Sequence, residues 1–242
     1  MVNYRMSLDG AQRRRLYLFR HGAVDYVDQD GKVVPDPDVV LLNVKGQSQA
    51  DAMGQLFAEV SIDRVICSGL ARTRETARRV MGKRNLTIEV NGGLEEIRPA
   101  TGDGTGNLDL VEDIAFSHWR AADEGSRFLG GEQYADFYTR IAATFESILA
   151  EEDWQNLAIF AHGGTNAAII GWASGLGLSA FGVIDQATCC LNVIDFDVDA
   201  NDKRLLRKSI RGMNITADDP AKGRRHSGDM ESLAKYLMRF TN

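Results

Sequence analysis

The sequence predicts an α/β fold, a three-layer α/β/α sandwich around a mainly parallel sheet. Three observations point there. Short apolar runs alternate along the chain with stretches of helical periodicity. Gly is abundant at 24 and Pro scarce at 4, which suits tight strand-to-helix turns better than a loop-rich all-β protein. The chain has 242 residues, 44% hydrophobic and 26% charged, enough to bury a sizeable core and too apolar for whole-chain disorder.

The elements follow in order. Leu16–Arg20 predicts a buried strand. Gly46–Val60 predicts a helix with Ala50, Met53, Leu56 and Phe57 on one stripe and Asn43 as N-cap. A second strand is expected at Arg64–Ser68, and then a helix from Leu70 to Met81, with Leu70, Ala77, Val80 and Met81 apolar, stopped by Gly82. Leu86–Val90 predicts the third strand. Residues 95–131 are polar and Gly-rich, with a helical piece over Leu108–Ala122. Glu132–Glu152 is a long amphipathic helix, striped by Tyr134, Phe137, Ile141, Phe145 and Ile148. Leu157–Ala161 predicts the fourth strand and Thr165–Ala173 the helix after it. Cys190–Phe196 and Leu205–Ile210 are expected to close the sheet as an antiparallel edge pair, with a C-terminal helix over Ser227–Phe240. No repeat and no long linker divides the chain, so residues 1–242 are expected to form one domain with a cap inserted at about 97–131.

Composition excludes several function classes. The formal net charge is -6, which argues against wholesale nucleic-acid binding. Arg13-Arg14-Arg15 and Arg224-Arg225 are short basic clusters of the kind that usually stay solvated. Three cysteines, Cys67, Cys189 and Cys190, give no disulfide framework, and no Cys/His spacing resembles a zinc site. Cys67 is expected as a small core residue, and Ser68 as the cap of the helix that follows. Residues 163–184 carry no charge but are interrupted by six glycines, so a buried helix and loop fit better than a membrane span. With no signal-peptide pattern at the N-terminus, a soluble, cytoplasmic protein is expected.

Three strand-to-helix junctions carry the chemistry. The first strand ends in Arg20-His21-Gly22, the second in Ser68-Gly69-Leu70-Ala71-Arg72, and the fourth in His162-Gly163-Gly164-Thr165. Ligands of open parallel sheets bind at the C-terminal ends of the strands, so these junctions can converge. The pocket would hold two Arg and two His beside helix N-termini with free N–H groups, and Gly22, Gly69, Gly163 and Gly164 would let backbone approach a phosphate. Arg20, beside an apolar strand, is costly to bury unless it meets an anion. Arg74, Arg78 and Arg79 are expected on a solvated face, with Glu75 paired to Arg79. His118 and His226, in the insert and the tail, are not expected in the site.

Leu18-Phe-Arg-His-Gly22, Ser68-x3-Arg72 followed by Thr76-Ala77, Leu94-x-Glu96 and Ala161-His-Gly-Gly164 resemble the histidine phosphatase superfamily, the phosphoglycerate mutase-like family. Gly130-Gly-Glu132 with Tyr134 and Arg140 is similar to the stretch before that family's long helix, and the likeness runs over about residues 16–196. It implies a phosphoglycerate mutase-like fold with His21 as the nucleophile. Arg20, Arg72 and His162 would bind the phosphate beside His21 and Gly163, and Glu96 would be the general acid and then the base. The implied activity is a phosphatase that hydrolyses a phosphomonoester through a phosphohistidine, a histidine acid phosphatase type of enzyme needing no cofactor and no metal. A fixed set of Arg side chains can stabilise a transferring phosphoryl group, and an alkoxide leaving group requires a nearby acid. Glu95 rivals Glu96 for that role, with Asp103 a more distant third.

The sequence also departs from the family. Val24 and Val27 stand where many members have Thr and Asn, and Ile97-Arg98-Pro99 replaces the mutases' aromatic-Gly pattern. The acidic loop from Asp25 to Pro37 is expected to be solvated, although it could border the pocket. Arg98, Arg120 and Arg127 could meet a second anionic group of the substrate, although charge on such an insert is usually solvated. Two other functions remain open: a phosphoglycerate-type mutase and a non-catalytic module that binds phosphorylated ligands. The expected partner is a small phosphorylated substrate, with neither nucleic acid nor membrane, and a homodimer is compatible with the sequence.

Overall fold

The computed structural model describes residues 11–27, 34–100, 110–223 and 227–238. Among them a single mixed sheet has six strands: β1 (Ala11–Arg20), β2 (Arg64–Cys67), β3 (Ile88–Val90), β4 (Asn156–Ala161), β5 (Leu191–Asp199) and β6 (Leu205–Ile215). Their order is β3-β2-β4-β1-β5-β6. β1, β2, β3 and β4 run parallel, and β5 and β6 complete the sheet antiparallel, as the sequence pattern predicts.

The helices are α1 (Val44–Leu56), α2 (Ala71–Met81), α3 (Leu110–Ala115), α4 (Tyr134–Ala150), α5 (Gly163–Ser174), α6 (Ala180–Val183) and α7 (Asp229–Leu237). Two hydrophobic clusters lie on opposite faces of the sheet. Phe19, Ala50, Met53, Phe57, Val65, Ala77 and Val80 join α1 and α2 to one face. Leu16, Leu18, Ile159, Phe137, Ile141, Phe145 and Ile169 join α4 and α5 to the other. β2, β4 and the C-terminal half of β1 are therefore apolar on both faces.

Local chemistry sets the element ends. The Asn43 side chain accepts from Gly46 N and starts α1, and Gly82, at φ 58, ends α2. The α4 stripe is buried as its spacing predicts. Several boundaries differ from the sequence prediction. Leu56 is 56% exposed, because Phe57 occupies the core position on that turn. The helical piece expected over Leu108–Ala122 stops at Ala115 and continues as turns. There the Ser117 hydroxyl bonds to Ile114 O, competing with the backbone ladder. α5 begins two residues earlier than expected, and Leu108 and Phe240 lie outside the described residues.

The basic run on β1 is not a solvated cluster. Arg13 and Arg15 stand directly across from Asp197 and Asp195 and bind them at 2.8 and 2.6 Å. Arg207 and Arg211 reach the same two carboxylates from β6. Burial alone would raise the Asp195 pKa, but the hydrogen bonds from Arg15 and Arg211 hold it below the usual carboxylate range. Arg14 points to the opposite face, 5% exposed. Its guanidinium sits 3.7 Å from the Trp154 ring centroid and donates to Leu149 O and Trp154 O at 2.6 and 2.9 Å, and to Glu151 O. A buried cation thus closes the C-terminal end of α4, where the helix dipole favours positive charge. Arg224-Arg225 lie outside the described residues.

Replacing Arg14 by Met keeps the apolar stem and deletes the donors to these carbonyls. Arg14→Met should destabilise the protein by roughly 3 kcal/mol, measured by urea unfolding. A change within about 0.5 kcal/mol, the range of an ordinary surface substitution, would show that the carbonyls find other partners.

Candidate active site

Strand register brings three junctions together. Arg20 on β1 pairs with Ala161 on β4, and Cys67 on β2 pairs with Phe160 on β4. Backbone bonds continue just past the strands, His21 N to Ala161 O at 3.0 Å and Ser68 N to Phe160 O at 3.1 Å. The next residues of each chain therefore emerge side by side at one sheet edge. Gly22 belongs to this edge, but its reason is packing and not phosphate approach. A Cβ there would lie 2.7 Å from Gly46 O on α1.

His21 is 3% exposed. Its Nδ1 lies 2.8 Å from Gly22 O, and since a carbonyl only accepts, Nδ1 carries the proton and Nε2 keeps its lone pair. Burial, followed by the charges of Arg72 and Arg20, lowers the His21 pKa well below the usual imidazole value. His162, fully buried, stands with its ring centroid 5.2 Å from that of His21. Burial and then Arg72 push its pKa down in the same way. Its Nε2 is 2.8 Å from Ser68 Oγ, and its Nδ1 is buried without a hydrogen-bond partner among the described residues. The Ser68 hydroxyl also meets Thr73 Oγ1 at 3.0 Å. Ser68 is thus not a helix cap but a brace for the His162 ring; the N-cap of α2 is Leu70, which makes no side-chain cap bond.

Both predicted arginines reach this edge. Arg72, in the first turn of α2, is 4% exposed. It donates to Pro37 O at 2.8 Å, and its Nε is buried without a partner among the described residues. Arg20 donates to Gln186 O and lies along the backbone of Gly163, where a Cβ would be 3.4 Å from its Cζ. Pro37 O and Gln186 O hold these guanidinium groups in place, and backbone acceptors of this kind leave no signal in sequence. Arg79 pairs with Glu75 at 3.2 Å on an outer face, as predicted, and Arg74 stays exposed.

The two glutamates separate clearly. Glu96 sits on the N-terminus of α5, its Oε2 accepting from Gly164 N at 3.0 Å and its Oε1 from Ile97 N and Thr165 N at 3.0 and 3.2 Å. Two N–H groups of the α5 first turn, expected to be free for a ligand, are therefore taken by Glu96. Gly164 allows this approach, since a Cβ there would lie 2.5 Å from Oε1. Burial raises the Glu96 pKa and outweighs the lowering by these bonds and by Arg20 and Arg72. Glu95 lines the same cleft but pairs with Arg98. Asp103 and His226 lie outside the described residues.

Arg20, His21, Arg72, Glu96 and Gly163 open into one cleft of about 940 Å³. The Asp25–Pro37 loop does border it, through Tyr26, Val27, Val34, Pro35 and Pro37. Val24 packs against the α1–α2 core. His118 also lines the cleft, with Nδ1 2.9 Å from the Tyr134 hydroxyl. Of the insert arginines only Arg98 reaches the cleft wall, while Arg120 pairs with Glu112 and Asp113, and Arg127 donates to Gly131 O.

The sequence pattern of the histidine phosphatase superfamily (branch 1) matches residues 16–208. The chain belongs to this superfamily. Among its relatives, a probable 2-carboxy-D-arabinitol-1-phosphatase of Arabidopsis thaliana is 26% identical over 93% of this chain and 46% of its own length. The chain thus spans less than half of that plant protein. An adenosylcobalamin/alpha-ribazole phosphatase of Escherichia coli is 27% identical over 76% of this chain and 90% of its own length. The same fold is seen in a mycobacterial glucosyl-3-phosphoglycerate phosphatase complexed with inorganic phosphate. There the TM-score is 0.65 at 20% identity, covering 84% of this chain and 98% of that one. The histidine phosphatase fold thus accounts for the core sheet, and α7 lies beyond the matched residues. No described helix is long and apolar enough to cross a membrane.

The depressed histidines predict a pH dependence of stability. Unfolding releases His21 and His162 to the ordinary value near 6.5, so below it the unfolded chain takes up protons that the folded chain refuses. Their contribution is present above about pH 6.5 and is lost as pH falls; the raised Glu96 acts in the opposite sense. The loss in unfolding free energy between pH 7 and pH 5 should shrink in a His21→Gln/His162→Gln double variant. An unchanged slope would contradict the proposed burial of neutral imidazoles.

Proposed function

We propose that this protein is a phosphomonoesterase that passes the phosphoryl group to His21 and then to water. The observation that carries this is the His21 imidazole, protonated at Nδ1 by its bond to Gly22 O and flanked by two arginines, a second histidine and a carboxyl group. The phosphatase names of its relatives support the hydrolytic reading.

In the first step the Nε2 lone pair of His21 attacks phosphorus, and the bond to the ester oxygen breaks. The departing oxygen takes the proton of Glu96, whose raised pKa favours the acid form. Arg20, Arg72 and His162 hold the phosphate oxygens, with the Gly163 backbone beside them. Because Arg20 and Arg72 carry fixed charge, the transferring phosphoryl group is stabilised without calling on a metal. In the second step a water attacks the phosphohistidine, Glu96 takes its proton, and the P–N bond breaks to restore His21. The neutral state of His21 supports this role, since a protonated Nε2 has no lone pair to give.

The scheme assigns the acid role to Glu96 and not Glu95, supported by the pairing of Glu95 with Arg98. A binding module would have no use for a carboxyl group beside the phosphate grip, and a phosphoglycerate-type mutase would keep the phosphate for return to a bound intermediate. We further propose that the chain acts as a single domain with the 97–131 cap over the site.

His21→Ala should abolish phosphomonoesterase activity, whereas full activity in that variant would exclude the mechanism. Glu96→Gln should lower kcat on alkyl phosphates by about 10²- to 10⁴-fold. The loss should be far smaller on aryl phosphates, whose leaving groups need no proton. For alkyl esters kcat/KM should rise with pH as His21 loses its proton, below the usual imidazole range. It should fall again as Glu96 loses its own, above the usual carboxyl range. In Glu96→Gln the falling limb should vanish. Its persistence there, with loss in Glu95→Gln instead, would move the acid role to Glu95.

A further inference from the structure

We infer that the ester cleaved here has a bulky, uncharged, apolar leaving group, held by a wall that the cap and the C-terminal helix build above the phosphate grip. This rests on the phosphomonoesterase reading and narrows its substrate class. The cleft holds about 940 Å³, far more than a phosphate needs.

Its outer part carries a run of large apolar side chains. Phe116 and Trp119 of the cap, with Phe128, line it from one side. Val183 at the end of α6, and Met230 and Leu233 on α7, line it as well. Trp119 is 69% exposed, Val183 63% and Phe116 49%, although each faces a concave cleft. Large apolar side chains left open around a cavity mark a binding surface. The core does not account for them, because their neighbours Ile114, Ala121 and Phe181 already fill it.

Charge narrows the occupant further. Beyond the phosphate grip the described lining carries Glu95, Asp38, Asp185 and Glu231. Among the described residues the one further arginine on the wall, Arg98, is paired with Glu95. A leaving group bearing a carboxylate or a second phosphate would meet acidic groups there without a free matching cation among the described residues, which is unfavourable. An apolar group loses nothing to them and gains by leaving water. α7 packs against α3 and lies outside the residues 16–208 that the superfamily pattern matches.

The test uses primary alkyl phosphates, in which the reacting oxygen is chemically similar: ethyl phosphate, 2-(1-naphthyl)ethyl phosphate and 3-phosphoglycerate. For the full-length protein, kcat/KM should be about tenfold or more higher for the naphthylethyl ester than for ethyl phosphate, and lowest for 3-phosphoglycerate. Trp119→Ala, at an exposed position that folding does not need, should cut the naphthylethyl-to-ethyl ratio several-fold. Glu231→Gln, which keeps the side-chain acceptor for Gly228 N, should narrow the disadvantage of 3-phosphoglycerate. Equal or inverted preference between the naphthylethyl and ethyl esters would overturn the inference and leave the phosphatase reading intact. So would a ratio unchanged by Trp119→Ala, the result expected if the wall served a protein partner. Failure to hydrolyse any ester would instead sink the phosphatase reading itself.

Discussion

The hydrogen bonds that hold β1 and β2 on either side of β4 decide where every reactive group ends up. Because Arg20 is in register with Ala161 and Cys67 with Phe160, His21, Ser68 and His162 leave the sheet at one level. A two-residue slip of either outer strand would keep the core faces apolar but carry its junction several ångströms along the sheet. The packing of Gly22 against Gly46 and the backbone bond from His21 N to Ala161 O oppose such a slip. Phosphoryl transfer depends on positioning above all, so sheet register and chemistry are here the same constraint.

Burial at this edge does two opposite things with one cause. It disfavours charge, and so lowers the pKa of both imidazoles and raises that of the Glu96 carboxyl. The two arginines cannot give up their charge, and backbone carbonyls, Pro37 O and Gln186 O, solvate them in part. The result is a pocket whose positive charge is fixed and whose titratable groups are biased toward their uncharged forms. An arriving phosphate dianion is the natural complement. The overall acidity of the chain does not oppose this, because basic groups elsewhere are matched locally, as in the Arg13–Asp197 and Arg15–Asp195 pairs.

Much of this could be read from the residues in line. Arg20-His21 and His162 stood out because polar groups follow apolar strands directly, and the α4 stripe because its spacing is strict. What stayed hidden depends on groups that meet only in three dimensions. Arg14 looks no different from Arg13 in a basic run; strand alternation turns it toward the end of α4, and only the position of Leu149, Glu151 and Trp154 makes that a buried site. Ser68 read as a cap because its partner lies 94 residues away. Glu95 and Glu96 are indistinguishable by type, and the choice rests on which one faces the first turn of α5. The apolar wall was invisible too, since Trp119 and Leu233 carry no motif.

The central claim is that His21 carries the phosphoryl group between ester and water. The most direct measurement is rapid quench of the protein mixed with a 32P-labelled alkyl phosphate, followed by peptide mapping under alkaline conditions that preserve phosphohistidine. The account predicts transient, acid-labile label on the peptide containing His21, appearing before free phosphate and increased when hydrolysis is slowed in Glu96→Gln with an aryl phosphate. Steady hydrolysis with no label on His21 at any time, or with label on another residue, would contradict it.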